Sequence, residues 1–480
     1  MRAETFGRIA DLVIGSGPTG FAAALGIAAR GGAPVLMDFG QVAKGSRAAF
    51  AGSAGAAVKG GGDGRDEVFA YPSSLVAADD GRHLPLSSAR GGLSRIWGSG
   101  VLVRGDEELA QFGPAEAGVR EGYAALLDVI AVTGRRDATS DRFPWPDGLP
   151  VAPQSRRFEL LVRALQDEPR EGVLFGYPRV ALDLLTPPGC LRCGRCLSGC
   201  PEHLFFDAAP RLEAMATHGT ISWLVGPALT LSQCDAGIKV GTPTGVISAD
   251  RVFLAAGPVA TAALLQRSGL VSEMLTLEDS AVFYTAYLNT NGPTDDAYEY
   301  ASSHLVAFAD RMEPLDFQLA VYEANPEYRV RLRALLPVMP SGLIPDPLLR
   351  RVNAGIGLLA PEFSGRLEIS TTTGGRTWVR RRSHPATSRA ARAVVRRVGH
   401  RLGARGVHPV PGAVVVPPPG SGYHVGASMP VGGGLVDIGG RLRVAPDIRV
   451  VDASSLPHVW AGSHTFTAMA NAYRIGREAT

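Results

Sequence analysis

The chain has 480 residues, enough to bury more than one hydrophobic core, so two domains are the natural expectation. Hydrophobic residues make up 45% and charged residues 19%, as in ordinary globular proteins, and a net charge of +3 argues against an electrostatic nucleic-acid binder. No apolar run reaches the roughly 18 residues of a membrane-spanning helix, and no signal peptide is evident. We therefore expect a cytoplasmic protein without a transmembrane segment that binds no nucleic acid.

The first elements along the chain follow the strand, turn, helix and strand order of a dinucleotide-binding fold. An apolar strand from Asp11 to Ile14 runs into a G-x-G-x-x-G turn, and an alanine-rich helix follows as far as Arg30. A second strand ends at Asp38, which is placed to accept hydrogen bonds from adenosine ribose hydroxyls. A glycine pattern alone is weak evidence in a chain with 59 glycines, whereas the complete order is specific.

Each glycine of the turn has a predicted mechanical role. Gly15 allows the tight turn, Gly17 lets the backbone approach a pyrophosphate, and Gly20 lets the helix pack on the strand. The helix N-terminus offers free N–H groups and the positive end of its dipole to the phosphates. The cofactor-binding residues predicted here are Gly15, Gly17, Pro18, Thr19 and Gly20.

The segment from residue 40 to 100 bears on which dinucleotide is bound. It is rich in Gly, Ala and Ser, where a chain built around NAD often continues with regular strand–helix units. It contains a glycine-rich turn with Gly91, Gly92 and Ser94, and such a turn can approach a large planar cofactor closely. Taken alone, the segment could also be a flexible surface loop.

Four of the five cysteines stand within eleven residues, in the spacing C-x2-C-x2-C-x3-C-P. Bacterial ferredoxins hold iron–sulfur clusters with this run. Zinc usually takes two C-x2-C pairs separated by a dozen or more residues, and disulfides require an oxidising compartment. An iron–sulfur cluster, of the 4Fe-4S type, is the favoured interpretation, and its predicted ligands are Cys190, Cys193, Cys196 and Cys200.

The fourth ligand of this cluster is a separate question. In two-cluster ferredoxins the fourth cysteine of the run serves the other cluster. Here it could be Cys200, the distant Cys234 or a group other than cysteine. Cys234 lies in a predicted turn, so Cys200 is preferred.

The C-terminal segment carries Tyr-His-Val-Gly at 423–426, an R-V-V-D-A-S-S-L-P run at 449–457 and Gly-Ser-His-Thr at 462–465. These residues resemble the C-terminal signature of the glucose–methanol–choline (GMC) oxidoreductase family. The resemblance extends to the N-terminal glycine turn, the turn at 91–94, Ser248 to Gly257 and Phe363 to Ile369, in the order of the family. The cysteine run also lies where some relatives, notably long-chain alcohol oxidases, look cysteine-rich.

The resemblance implies non-covalent FAD in a two-domain fold. Gly91, Gly92 and Ser94 would lie along the flavin, and the backbone of Val225 would contact the adenine side. Asp452 and Ala453 would meet the pyrophosphate and ribityl chain, although Asp452 could also be a helix N-cap. The resemblance adds Gly257, at the end of its segment, to the cofactor-binding residues.

The resemblance also assigns the catalytic residues. His424 matches the family's catalytic histidine, and an imidazole suits a base that removes the hydroxyl proton because its ordinary pKa is about 6.5. The second position is a His or Asn before an Ala- and Met-rich helix, where Gly-Ser-His-Thr departs from the common Asn-Pro pattern. Strict register gives Ser463 and a one-residue shift gives His464, of which His464 is favoured.

The expected fold class is α/β, with a Rossmann-like FAD-binding domain interleaved with a sheet-plus-helices substrate-binding domain. The FAD-binding domain would comprise 1–110, 190–270 and 421–480, with the cysteine loop at 190–201. The substrate-binding domain would comprise 111–189 and 271–420. Within it, the basic stretch from Arg380 to Arg405 predicts an amphipathic helix with a solvated face.

The predicted activity is oxidation of a small-molecule alcohol, a sugar or another secondary alcohol, to a carbonyl with FAD as hydride acceptor. The cluster would relay electrons to an external acceptor, a quinone or a redox protein. One alternative is an alcohol oxidase that uses oxygen. Another is a zinc-stabilised flavoprotein that serves as a non-catalytic partner.

Overall fold

The computed structural model describes residues 8–40, 68–194, 196, 200–292, 302–311, 313–323, 345–372 and 374–479. The strands in these residues are β1 (Ile9–Ile14), β2 (Val35–Asp38), β3 (Val76–Ala78), β4 (Val173–Gly176), β5 (Ser222–Val225), β6 (Thr230–Cys234), β7 (Gly237–Thr242), β8 (Gly245–Leu254), β9 (Leu275–Asp279), β10 (Val282–Asn289), β11 (Leu305–Ala309), β12 (Phe317–Tyr322), β13 (Val352–Leu359), β14 (Arg366–Thr371), β15 (Thr377–Arg382), β16 (Val407–Pro409), β17 (Val425–Gly426), β18 (Arg441–Leu442) and β19 (Ala445–Val450). The α-helices are α1 (Pro18–Ala29), α2 (Asp106–Ala110), α3 (Glu116–Val129), α4 (Arg156–Gln166), α5 (Ala208–Thr217), α6 (Pro258–Arg267), α7 (Asp346–Leu349), α8 (Thr387–Gly403) and α9 (Thr465–Glu478).

An eight-stranded sheet carries the predicted nucleotide fold. Five of its strands run parallel in the order β19-β8-β1-β2-β5, with β18 at one edge and the β6–β7 hairpin joined to β8. Every residue of β1 except Ala10 is buried, as expected for a strand covered on both faces. The strand–helix–strand order predicted for the N-terminus is present as β1, α1 and β2.

Helices α1 and α9 cover one face of this sheet and contact each other through glycines. A Cβ at Gly26 would lie 2.1 Å from the carbonyl oxygen of Tyr473, and one at Gly476 would lie 2.5 Å from that of Ala23. Small residues at these positions let the two helix backbones approach closely. This packing joins the N-terminal and C-terminal segments of the chain around the core.

A six-stranded sheet in the order β16-β10-β13-β12-β11-β4 forms the second core. The sequences of β4 and β10 to β13 contain no Asp, Glu, Lys or Arg. One face packs against α4 and α8, which bury residues such as Phe158, Val394 and Leu402. On the other face, Oε1 of Gln318 accepts the N–H of Ser463, in the loop that carries His464.

Helix α8 confirms most of the amphipathic helix expected in the arginine-rich stretch, but not its beginning. Arg380 to Arg382 belong to β15, and the helix begins only at Thr387. Pro385 explains the difference because the residue before a proline is disfavoured in helical conformation. The apolar residues that α8 buries in the core recur at helical spacing: Ala390, Ala391, Val394, Val395, Val398 and Leu402.

The third sheet has the order β17-β9-β14-β15-β3 and combines distant parts of the sequence. Strands β3 and β17 come from segments assigned to the FAD-binding domain, whereas β9, β14 and β15 come from the segment assigned to the substrate-binding domain. The domain boundaries stay a prediction. Among the helices of the described residues, none has the length and apolarity that crossing a membrane requires.

Candidate active site

The residues predicted to bind a dinucleotide converge at one edge of the parallel sheet. Gly15 follows β1, Asp38 ends β2, Val225 ends β5, Gly257 follows β8 and Asp452 follows β19. In an open parallel sheet, ligands bind in the crevice outside the carboxyl ends of the strands. The fold therefore brings together residues separated by more than 400 positions in the sequence.

The glycine turn has the close packing and the open space that a pyrophosphate site needs. Gly15 has a φ of +111°, and a Cβ there would lie 2.3 Å from the carbonyl oxygen of Ala255. A Cβ at Gly20 would lie 2.0 Å from the carbonyl oxygen of Gly15, so the helix could not approach the turn with a larger residue. Gly17 has nothing within 4 Å of a Cβ position, which leaves room for a ligand beside the N-terminus of α1.

Asp38 and Val225 lie side by side at the ends of β2 and β5. The carboxylate of Asp38 accepts the Gly40 N–H at 2.8 Å and lies 3.4 Å from Nε of Arg90. The Arg90 guanidinium also lies 4.1 Å from the centre of the Trp223 ring. Val225 is 62% exposed, so its backbone and side chain are accessible at this edge.

The turn at 91–94 packs directly onto the first glycine turn. The Gly91 N–H donates to Oγ of Ser16 at 3.1 Å, and a Cβ at Gly92 would lie 3.2 Å from Cα of Gly17. Ser94 is fully buried; its hydroxyl donates to the Gly91 carbonyl at 2.6 Å and accepts the Ala208 N–H at 3.0 Å. The segment predicted to lie along a flavin is thus held against the predicted pyrophosphate site.

Asp452 is a helix N-cap residue, which is the role that the sequence allowed besides contact with the cofactor. One carboxylate oxygen accepts the Ser454 N–H at 2.9 Å at the start of the short 3-10 helix Ala453–Ser455, and the other accepts the hydroxyl of Thr261. Burial raises the pKa of Asp452, and these hydrogen bonds oppose that rise. The carboxylate therefore fixes the 452–453 backbone relative to α6, at the sheet edge where the cofactor would bind.

His424 and His464 meet although they are 40 positions apart. Their ring centres are 5.3 Å apart and the ring planes are nearly perpendicular, at 81°. His424 directly precedes β17, and His464 is the N-cap residue of α9. The loop after His424 is tied to the sheet edge because the Ala427 N–H donates to the carbonyl of Ala453 at 2.9 Å.

Both histidines are neutral near pH 7. Burial, reinforced by the charge of Arg104, lowers the pKa of His424 to about 4, while a hydrogen bond with the Gly422 backbone opposes the shift. Burial also places the pKa of His464 well below its ordinary range, and His424 and Arg104 lower it further. The Nδ1 atoms of both rings are buried without a hydrogen-bond partner among the described residues. A neutral imidazole can accept a proton, which is the requirement for a general base.

The Ser463 side chain forms a hydrogen bond with the backbone of another segment. Its hydroxyl donates to the carbonyl of Gly100 at 2.6 Å, and its N–H donates to Oε1 of Gln318 at 3.2 Å. Of the two residues predicted for the second catalytic position, His464 is the one whose ring lies beside His424.

Arg104 also lies at this site, although no sequence motif predicted it. It is 0% exposed and donates to the carbonyl of Ser463 at 2.9 Å and to that of Ala461 at 3.4 Å. Its guanidinium lies 5.1 Å from the centre of the Trp460 ring. The only local signal was an arginine directly after the apolar run Val-Leu-Val, which does not indicate which groups it meets.

The four clustered cysteines line one small, partly open cavity, together with Leu182, Pro201, Leu204 and Phe205. Cys193 is exposed and the other three are half-buried. Burial raises the pKa of Cys190, and the nearby thiols of Cys200 and Cys193 contribute to the rise. Cys234 lies at the end of β6 and is not among the residues that line the cavity.

The described residues contain no recognised metal-binding group at the cysteines. Across the described ranges, which omit 195 and 197–199 of this loop, no three His, Cys, Asp or Glu side chains are grouped to hold a metal ion. Four sulfurs bound to one zinc at 2.3 Å would be about 3.8 Å apart. The lack of such a group among the described residues does not support the predicted iron–sulfur cluster, and the cluster stays a prediction.

Comparison with known proteins identifies the fold. No protein-family model and no curated protein sequence matches this chain. The crystal structure of pyridoxine 4-oxidase from Mesorbium loti superposes with a TM-score of 0.63 at 16% sequence identity, over 98% of this chain and 99% of that chain. The expected α/β architecture, a Rossmann-like part combined with a sheet-plus-helices part, is therefore confirmed. The chain shares its fold with this oxidase along nearly the whole length of both chains.

Proposed function

We propose that this protein is an FAD-dependent dehydrogenase that oxidises an alcohol to a carbonyl compound. The observation that carries the proposal is the pair of neutral, buried histidines beside a sheet edge shaped for a dinucleotide. FAD, when bound, supplies the acceptor for the hydride that leaves the carbinol carbon. Gly15, Gly17 and Gly20 would hold its pyrophosphate, and the turn at 91–94 would lie along its ring system.

Side chains of the protein would remove the hydroxyl proton and orient the substrate. His424 would accept the hydroxyl proton on a ring nitrogen, so that proton and hydride leave from oxygen and carbon respectively. His464 would orient the hydroxyl from the neighbouring position. Burial keeps both rings unprotonated before the reaction, and the positive charge of Arg104 close to them contributes.

A His424→Ala variant tests the catalytic assignment. The variant should still bind FAD but reduce it at least 100-fold more slowly with an alcohol substrate under anaerobic conditions, because general-base catalysis typically contributes 10²–10⁴-fold. His218→Ala is the matched control, since His218 is exposed at the end of α5. Reduction at the wild-type rate in His424→Ala would show that another residue is the base.

We further propose that the cysteine cavity holds an iron–sulfur cluster, which would give electrons a one-electron exit to a quinone or a redox protein. The short segment 204–208, which connects the cavity with Ser94, supports electron transfer between the flavin and the cluster. Leu204 and Phe205 line the cavity, and Ala208, only four residues after Leu204, donates its N–H to Ser94. Four residues of extended chain span at most about 14 Å, so the cavity lies close to the turn predicted to contact the flavin.

Metal analysis of anaerobically purified protein tests the cluster. We expect about four irons with a broad absorbance near 400 nm, both lost in Cys200→Ser and retained in Cys234→Ser. Zinc without iron would contradict the cluster. In that case rapid reaction of the reduced flavin with oxygen would support the oxidase alternative, and absence of any flavin reduction would support the non-catalytic partner.

A further inference from the structure

The face of the six-stranded sheet that lies toward the two histidines differs in its residues from the face that is packed in the core. Along β10, β12 and β13 the exposure of side chains alternates except at Val282, Ala320 and Leu358, and one face is partly open while the other is packed in the core. The open face carries a set of residues that we call the trough: Tyr284, Ala286, Gln318, Tyr322, Ala354 and Ile356.

Strand register places these residues in rows across the sheet. Tyr284 is opposite Ile356, and Ala286 is opposite Ala354, which in turn is opposite Tyr322. Gln318 stands in the row on the other side of the Tyr284–Ile356 pair, opposite Leu358. Four residues along a strand span about 14 Å, so a carbon skeleton several bonds long would match the trough in length.

Two contacts connect the trough with the reaction centre. Oε1 of Gln318 accepts the N–H of Ser463, the residue before His464. At the other histidine, the N–H of Ser280 donates to the carbonyl of His424 at 3.0 Å, two residues before β10 begins. One end of the trough therefore lies at the histidine pair.

The polar groups of the trough are few and uncharged. They are the Gln318 amide and the hydroxyls of Tyr284 and Tyr322, and burial raises the pKa of both phenols, so that they stay neutral. The described strands of this sheet from β10 to β13 offer no carboxylate, ammonium or guanidinium group. A polyol bound here would leave most of its hydroxyls without partners, which is unfavourable in a buried site.

We infer that the substrate is a hydrophobic alcohol, with an alkyl or aryl skeleton lying on the trough and one reacting hydroxyl at the histidine pair. This inference rests on the proposed function and narrows it, because a sugar was among the substrates expected from the sequence. The apolar skeleton would bind by burial against Ile356, Ala354 and the tyrosine rings.

A chain-length series tests the inference with the FAD-loaded protein. Anaerobic flavin reduction is measured with 2-butanol, 2-hexanol and 2-octanol, and with glycerol, sorbitol and glucose. We expect kcat/KM to rise about fourfold for each methylene that the trough buries, and the polyols to react poorly. Reduction by polyols but not by the alkyl alcohols would overturn the substrate class and leave the proposed function intact. Reduction by neither class would overturn both.

A matched pair of variants and a binding measurement test whether the dependence on chain length arises at the trough. Ile356→Thr should flatten the dependence on chain length, whereas Val246→Thr, at a 67% exposed position of β8, should not. The tertiary alcohol 2-methyl-2-octanol cannot be oxidised because its carbinol carbon carries no hydrogen. It should raise the unfolding temperature of the wild type more than that of Ile356→Thr, and an equal rise in both would place the binding site elsewhere.

Discussion

At the scale of single residues, burial sets the protonation state of the histidine pair, and the charge of Arg104 reinforces it. A guanidinium with no exposed surface is unusual, since a buried charge is costly unless it is hydrogen-bonded. Here the carbonyl groups of Ala461 and Ser463 accept hydrogen bonds from it. The charge thus holds the loop that carries His464 and disfavours a second positive charge beside it.

Replacing this charge should therefore change the pH dependence of catalysis. In Arg104→Gln we expect the acidic limb of the kcat/KM profile to move to higher pH, because the pKa of His424 and that of His464 rise. The shift should be partial, since burial is the larger cause of both depressions. Arg104→Lys should keep the wild-type limb, as should Arg163→Gln on the exposed side of α4. An unmoved limb in an active Arg104→Gln enzyme would contradict this role.

Asp279 is a second residue with an unusual environment, and it supports the loop that leads to His424. It is 1% exposed, its carboxylate accepts the Gly420 N–H at 2.9 Å, and burial raises its pKa to about 7. The charge of Arg381 and the hydrogen bond to Gly420 oppose that rise. The carboxyl group is therefore protonated in the folded state over a pH range in which it is ionised in the unfolded chain.

This difference has a predictable effect on stability. Between about pH 4 and pH 7 the folded protein holds a proton that the unfolded chain has lost, so stability falls as pH rises, on the order of 1.4 kcal/mol per pH unit. Asp279→Asn removes this dependence while keeping a hydrogen-bond acceptor. Urea unfolding at pH 5 and pH 8 should show the variant gaining stability relative to the wild type at the higher pH. A constant difference would mean that Asp279 ionises alike in both states.

At the scale of elements, the contact between α1 and α9 holds the two ends of the sequence together. Gly26→Ala would place a methyl group 2.1 Å from the carbonyl oxygen of Tyr473, where only backbone movement can relieve the clash. We expect a loss of about 1–3 kcal/mol in the free energy of unfolding, which outweighs the helix preference of alanine. Gly434→Ala is the control because nothing lies within 4 Å of its Cβ position, and it should change stability little. Equal unfolding midpoints for the two variants would show that the helices can separate without cost.

At the scale of the whole molecule, FAD binding should stabilise the fold, because the predicted site draws on strands from both ends of the chain. At an FAD concentration of 100 Kd the expected gain is about 2.7 kcal/mol. Gly17→Asp separates cofactor binding from folding. Gly17 is the N-cap of α1 with an ordinary φ of −72° and open space around it, so aspartate fits and caps the helix well.

The thermal unfolding of Gly17→Asp is the measurement. Without FAD the variant should be at least as stable as the wild type, and added FAD should raise only the wild-type unfolding temperature, because the new carboxylate would repel the pyrophosphate. NAD should raise neither. A normal FAD-dependent rise in the variant would show that the pyrophosphate binds elsewhere.

The amino-acid sequence alone determined the local parts of this protein. Strand β1, the glycine turn, α1 and β2 follow from apolar runs and glycine spacing, because hydrogen bonds and steric limits act between near neighbours. The resemblance to the GMC family singled out His424 and left two residues for the second position. Sequence spacing could not choose between Ser463 and His464, since a one-residue shift reverses which side chain faces the site.

Only the tertiary structure decided which distant groups meet. The start of α8, the burial of Arg104 beside both histidines, the protonation of Asp279 and the uncharged trough all depend on packing between segments far apart in the chain. Burial and strand register set these properties, and neither is encoded within any short stretch of residues. The cysteine run illustrates both levels, because its spacing predicted a shared ligand and the fold placed the four thiols around one cavity.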